Sequence, residues 1–251
     1  MKKRLMAAVL STAMAATMLL TGSISVQAAD AAAANDPAVE LIFTSVSVSG
    51  DSHTEAMYEF ADKVEELSGG SVTCKCYDNG SLFSSENEFD ALLNGDADLA
   101  YISFPTIATQ IPSYSMFASG YLFSSYEHMT SVLNGDIGLN KIRPQIEETL
   151  NIKPLSSFYL GSRVINTREK EINSYDDMNG LLLRMPNSEA WLFLGEALGA
   201  NPTPLSFSEL YTALQTGAVD AQDNPLPSIE SAKFYEVTKY IAITNHVVDS
   251  I

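Results

Sequence analysis

FDALLNGDADLAYISFP (Phe89–Pro105) and YTALQTGAVDAQDNPLP (Tyr211–Pro227) follow one plan. Each opens on an aromatic residue, carries Ala-Leu, reaches a glycine (Gly95, Gly217), sets an aspartate three residues later (Asp98, Asp220) and closes on a proline. A glycine just past an apolar helical run is the residue best able to take the left-handed conformation that ends a helix. The run that follows reads as a strand. Each segment is therefore a helix that passes through a glycine cap into a strand. Two copies in different halves imply two lobes built from similar units, with strand ends facing a common cleft.

Outward from these copies the same alternation continues. VELIFTSVSV (Val39–Val48) alternates as a strand, and Ser52 with Glu55 forms a capping-box pattern ahead of Met57, Phe60, Ala61, Val64 and Leu67 at helical spacing. SVTCKCY is the next strand, and Ser85 with Glu88 is placed to cap the helix carrying Phe89, Leu92 and Leu93. DLAYIS follows as a strand, and Ser124 with Glu127 opens a helix that stops near Gly135. IKPLSSFYL and SRVINT read as extended, and LLLRM reads as a strand. A helix runs from about Asn187 to Leu198 and stops at Gly199; Ser206 with Glu209 starts another, and AVDAQDN is extended. Alternating strands and helices imply an α/β architecture with mainly parallel sheets.

In GLLLRMPNSEAW (Gly180–Trp191) a permanently charged Arg184 stands directly behind three leucines and is followed by Met185-Pro186. In open α/β sheets ligands sit outside the carboxyl ends of the strands, which puts Arg184 and Asn224, each at the end of its strand, against the cleft. A guanidinium is a planar fork that holds a carboxylate by two hydrogen bonds. The expected partner is an anionic small molecule, with a salt bridge to a neighbouring acid as the alternative.

Lys2, Lys3 and Arg4 precede an apolar run from Leu5 to Leu20, and Val26-Gln27-Ala28 offers a cleavage site: residues 1–28 read as a secretory signal peptide and 29–38 as a disordered leader. Leu20-Thr21-Gly22-Ser23 resembles a lipoprotein signal with serine in place of the lipidated cysteine, so the expected product is unanchored and periplasmic. The formal charge of −17 argues against nucleic acid or anionic lipid as a partner. Cys74 and Cys76 alternate along a strand and read as small sheet residues; a disulfide across one residue would be strained. No nucleophile elbow, His-Glu-x-x-His pattern or phosphate loop occurs, and His53, His128 and His246 lie far apart in sequence. No catalytic residue, metal site or cofactor is expected, and a monomer is.

DMNGLLLRMPNSEA, ALGANPTPLSFSELYTALQTGAVDAQDNPL and KFYEVTKYIAITNH resemble the extracytoplasmic solute-binding proteins of tripartite ATP-independent periplasmic (TRAP) transporters, of the dicarboxylate- and sialic-acid-binding type. FADKVEELSGGSV and ALLNGDADLAYIS extend the resemblance over nearly the whole chain past the leader. It implies a two-lobe, type II-like periplasmic binding protein closing about a hinge on an organic acid, which membrane permease subunits then take. Lobe 1 would span residues 39–153, with a return segment near 225–245, and lobe 2 residues 154–224. The family's principal carboxylate-binding arginine falls on Arg184, a supporting arginine on Arg163, and the asparagine of a Gln-Glu-Asn-Pro-like motif on Asn224, with Asp223 where Glu is usual. Phe207 would pack against the ligand. A salt-bridge role for Arg163 and a helix-core role for Phe207 stay open, as does a sensory protein presenting a bound acid to a receptor. An enzyme acting on a carboxylic acid would need a poised acid or base that the sequence does not nominate.

Departures from the family bear on the ligand. Ser85 and Ser103 stand near positions where sialic-acid-binding members carry acidic residues, and Val46 where a polar contact is expected. The resemblance therefore implies a smaller carboxylate: a dicarboxylate, keto acid or sugar acid. Members also continue beyond the TNH segment, so the expected C-terminal part is missing at Ile251, and poor solubility or weak binding is expected of the chain.

Overall fold

The computed structural model describes residues 38–251; the signal segment and nearly all of the leader lie outside them. In chain order the elements are β1 (Val39–Thr44), α1 (Ser52–Ser68), β2 (Val72–Tyr77), α2 (Glu88–Asn94), β3 (Leu99–Ala100), α3 (Phe104–Ile107), α4 (Tyr126–Leu133) and α5 (Arg143–Leu150). Then come β4 (Tyr159–Thr167), β5 (Leu182–Met185), α6 (Glu189–Ala197), β6 (Asn201–Pro204), α7 (Leu210–Thr216), β7 (Ala221–Pro225), α8 (Leu226–Ser231) and β8 (Tyr240–Ser250). The strands form a three-stranded sheet in the order β2-β1-β3 and a five-stranded sheet in the order β6-β5-β7-β4-β8. No helix among the described residues is long and apolar enough to cross a membrane.

The repeated plan in the sequence is a repeated structure. Gly95 ends α2 at φ 78° and Gly217 ends α7 at φ 80°, both left-handed. The residue after each donates back to the helix, Asp96 to the Ala91 carbonyl at 2.8 Å and Ala218 to the Ala213 carbonyl at 2.9 Å. Asp98 then bridges to β1: its N–H donates to the Ile42 carbonyl, and its carboxylate accepts from the Ile42 N–H at 2.8 Å. Asp220 does the same to Leu182 at the start of β5, its carboxylate accepting at 3.0 Å. The shared aspartate thus sets where β3 and β7 join their neighbours.

Parallel pairing holds within the first sheet and across β6-β5-β7, but β4 runs antiparallel to both β7 and β8. The second sheet is therefore mixed; four of the six strand pairings are parallel, as the expectation of mainly parallel sheets requires, and both antiparallel ones involve β4. Several caps also move. Asp51, not Ser52, caps α1 by accepting from the His53 N–H, and Ser125 rather than Ser124 caps α4. Asn87 precedes α2 without a side-chain cap, and the Ser85 hydroxyl donates instead to the Glu86 carboxylate at 3.0 Å. Ser206 makes no cap bond to the 3₁₀ turn Phe207–Glu209 that leads into α7. DLAYIS keeps only two residues as strand, and residues 152–158 are irregular.

Three apolar clusters hold these elements. One joins Phe89, Phe104, Tyr114, Met129, Leu133 and Ile146; another packs Leu183, Met185, Trp191, Leu194, Ile165 and Val247; the third joins Val164, Leu210, Leu214, Ile229 and Phe234. Leu183 and Met185 leave β5 on one face and reach the Trp191 cluster. Alternation along a strand therefore sends Arg184, between them, to the opposite face. Cys74 and Cys76 are free on β2, and burial pushes the Cys76 thiol up to about 11, which leaves it a poor nucleophile.

Candidate functional site

A cavity of about 340 Å³ opens between the two sheets, within the range of small-molecule sites. Arg184, Arg163, Asn224, Phe207, Ser103 and Ser85, the residues singled out in the sequence, all border it. They reach it from β5, β4, β7, the 3₁₀ turn before α7, the residue before α3, and the turn before α2.

Arg184 is 2% exposed, and among the described residues the only hydrogen bond of its side chain is from Nε to the Leu205 carbonyl at 2.8 Å. No carboxylate among the described residues forms a salt bridge with it. Its guanidinium carbon lies 6.0 Å from the centre of the Phe207 ring, which packs edge-on against Phe234. Burial pulls the guanidinium down to about 10 from its ordinary 12.5; Asp223 and Glu86 hold it up, and Arg163 pushes it further down. At neutral pH it is a cation without a bonded counter-ion on the wall of a cavity.

Arg163 is the contrast. It donates through Nε to Asp249 at 2.7 Å and through a terminal nitrogen to the Asp223 carbonyl at 2.8 Å and carboxylate at 3.2 Å, and it stacks 4.2 Å over the Trp191 ring. Asp223 also meets His246 Nε2 at 3.2 Å, and His246 Nδ1 meets the Thr244 hydroxyl at 2.8 Å. Asn224 donates to Gln222 Oε1 at 2.6 Å and Gln222 to Asn166 at 3.0 Å, so β7 carries a fully bonded polar row beside the cavity. Arg163 thus has its salt bridges, buried rather than at the surface. Its charge is spent inside the protein, while that of Arg184 is not.

The opposite wall is acidic, and sequence reasoning missed it. Asp51, Glu86, Glu88 and Asp90 border the cavity with Ser85 and Ser103. The Glu86 carboxylate takes the Ser206 hydroxyl from across the cavity and the Ser85 hydroxyl at 3.0 Å; these bonds hold it below the usual range against the upward push of burial. Asp51 accepts from Ser231 at 3.0 Å and pairs with His53 at 3.2 Å. Asp249 and Trp191 were also missed as site residues. Trp191 had one signal, being the only tryptophan in the chain. Among the described residues no cluster of three or more His, Cys, Asp or Glu side chains is arranged for a metal.

A fixed cation on one wall and acids and hydroxyls on the other is a layout for a small anion with polar substituents. Residues 43–251 match DctP, bacterial extracellular solute-binding protein family 7. The chain belongs to this family. Among DctP relatives, the sialic acid-binding periplasmic protein SiaP of Vibrio cholerae is 35% identical over 189 residues, which cover 75% of this chain and 58% of that protein. A TRAP periplasmic solute-binding protein from Roseobacter denitrificans, solved with bound 3-deoxy-D-manno-oct-2-ulosonic acid, superposes with a TM-score of 0.79 at 41% identity, covering 85% of this chain and 70% of that one. The sugar acid-binding protein DctPAm of Advenella mimigardefordensis, in complex with galactonate, gives a TM-score of 0.81 at 31% identity over 86% and 69% of the two chains. These relatives are binding proteins, not enzymes, and the two-lobe α/β fold expected from the sequence is the fold of the family.

Proposed function

We propose that this chain carries the ligand-capturing site of an extracytoplasmic TRAP solute-binding protein, which takes a small organic acid through Arg184 and delivers it to membrane permease subunits. The two sheets then belong to the two lobes, 39–153 and 154–224; the segment near 225–245, expected to return to the first, packs with the second instead, since Ile229 and Phe234 join Val164 and Leu210 and β8 pairs with β4. Export through the signal segment puts the site in the periplasm. Membership of the DctP family and relatives solved with bound sugar acids support the class of ligand. The observation that carries the reading is the buried Arg184 guanidinium, bordering the cavity with no carboxylate partner of its own.

A buried charge is costly until it is paired, so a ligand carboxylate gains most where the protein has left the pairing undone. Arg163, Asn224, Phe207, Ser103 and Ser85 complete the site in this reading: Phe207 as an apolar wall, the others as polar contacts or as supports that fix the walls. Truncating one member of a buried charge pair costs about 2 to 5 kcal/mol, or roughly 30-fold to several-thousand-fold in affinity. Calorimetry with galactonate and related acids should show Arg184→Ala losing nearly all binding and Arg184→Lys most of it, since lysine cannot form the fork. Unchanged affinity in both variants overturns the reading.

A further inference from the structure

We propose that the buried His246 takes up a proton when the cavity takes its acid, so that the protein binds organic anions more tightly as the pH falls. The proposal rests on the reading of Arg184 as the carboxylate anchor and goes beyond it by tying capture to a proton.

Arg184, Arg163 and Asp249 border the cavity, and Asp223 and His246 stand behind them; all five are buried. Asp223 joins the group. One oxygen of its carboxylate meets Arg163 at 3.2 Å and the other meets His246 Nε2 at 3.2 Å. Arg184 forms no bond to Asp223, whose charge still reaches it. With His246 neutral, the two guanidinium cations face the carboxylates of Asp223 and Asp249, and the cluster balances. A ligand carboxylate seated on Arg184 adds a negative charge to that balance, and buried charge is costly until it is paired. Of the cluster's members only an imidazole changes charge readily near neutral pH.

The hydrogen bonds of His246 suit both of its states. A carboxylate bound to Arg163 carries no proton, so Nε2 donates to Asp223 whether the ring is neutral or charged. Nδ1 meets the Thr244 hydroxyl at 2.8 Å. That hydroxyl donates to the bare nitrogen of a neutral ring and, turned about its C–O bond, accepts from the N–H of a charged one. The proton therefore arrives without loss of a bond, and Thr244 is half-buried, which puts the receiving nitrogen one hydroxyl away from solvent. Among the described residues, the other segments against β8 bring no buried charge to the ring: Tyr121 gives its N–H to the His246 carbonyl, and α4 keeps Glu127 and His128 exposed.

Calorimetry of galactonate binding in buffers of different ionisation enthalpy, at pH 6, 7 and 8, counts the protons taken up; a carboxylate ligand stays ionised throughout. The parent should take up a measurable fraction of a proton. By reciprocity its affinity should rise as pH falls, reaching about tenfold per pH unit where one whole proton is taken up. His246→Gln keeps a donor and an acceptor but cannot gain charge, so it should bind galactonate with most of the uptake gone. Glu88 also borders the cavity, and burial pushes its carboxyl up to about 8, so Glu88→Gln is the control and should keep most of the parent's uptake. Thr244→Val leaves a charged ring with a bare N–H and should lower the uptake, which decides the matter if His246→Gln does not fold. No uptake in the parent at any of the three pH values overturns the proposal. So does uptake unchanged in His246→Gln or in Thr244→Val, or uptake lost in Glu88→Gln and kept in His246→Gln. In each of these cases galactonate still binds, and the reading of Arg184 stands. A parent that binds no organic acid at any pH sinks that reading, and the proposal with it.

Discussion

Arg163 on β4 and Arg184 on β5 flank β7, one opposite Pro225 and the other opposite Gln222, and both are buried. What separates them is where their acids lie: Asp223 and Asp249 close on Arg163, and among the described residues no acid closes on Arg184. The special place of Arg184 was legible because a charge behind three leucines conflicts with its surroundings over a few residues. The Arg163 bridges were not, since Asp223 and Asp249 lie 60 and 86 residues away and only the sheet brings them together. Glu88 was legible only as a helix-start residue. Burial decides its chemistry, and burial comes from tertiary packing. Its displaced pKa predicts a pH dependence of stability. Below the ordinary value of 4.5 folded and unfolded chains both hold the proton, and Glu88 contributes nothing. Between 4.5 and about 8 the unfolded chain ionises while the folded chain keeps the proton, so stability falls as pH rises. Chemical denaturation of the ligand-free protein from pH 5 to 8 should show Glu88→Gln gaining on the parent at each step. A constant gap across that range would mean that Glu88 ionises in the folded chain as it does in water.

The helix–glycine–strand unit was the element most fully legible in the sequence, because the residues that shape it stand together in the chain. Gly95 and Gly217 supply the left-handed cap, and Asp98 and Asp220 follow three residues later, although the strand residues they bond, Ile42 and Leu182, lie 56 and 38 residues earlier. A Cβ added to Gly95 would meet nothing within 4 Å, so Gly95→Ala isolates the cost of the backbone conformation. That cost is about 1 to 2 kcal/mol, and equilibrium unfolding should show it without change in ligand affinity. At Gly217 the same change brings the methyl to 2.9 Å from a terminal nitrogen of Arg168, the far end of a flexible side chain, and the loss should be similar. Caps were misplaced where two adjacent candidates compete, as with Asp51 against Ser52 and Ser125 against Ser124. The antiparallel course of β4 was hidden for a different reason. Tyr159 pairs with Ser250 and Thr167 with Tyr240, and strand direction across such separations leaves no periodic trace.

Across the whole molecule the cavity is spanned as well as lined. The Ser206 hydroxyl donates to Glu86, the Phe207 N–H to Ser85 Oγ at 3.5 Å, and the Ser231 hydroxyl to Asp51 at 3.0 Å, each joining the side of the second sheet to that of the first. Ser206 and Phe207 immediately follow Leu205, whose carbonyl holds Arg184. The segment that fixes the cation is thus also the one that reaches across to the acidic wall, and a ligand held at Arg184 sits behind bonds that must break before it leaves. Under the proposed binding function, Ser206→Ala should raise the rate of ligand release by roughly tenfold, the worth of one hydrogen bond to a charged acceptor at the lower end of its range. Glu86 keeps its bond from Ser85 in that variant, so no carboxylate is left bare. The association rate should change little, because Ser206 does not contact Arg184 and encounter precedes the cross-cavity bonds. Stopped-flow mixing with galactonate, followed through Trp191, which borders the cavity, separates the two rates. Faster association at constant release would instead place the Ser206–Glu86 bond in the ligand-free protein, as a barrier to entry rather than a clasp on exit.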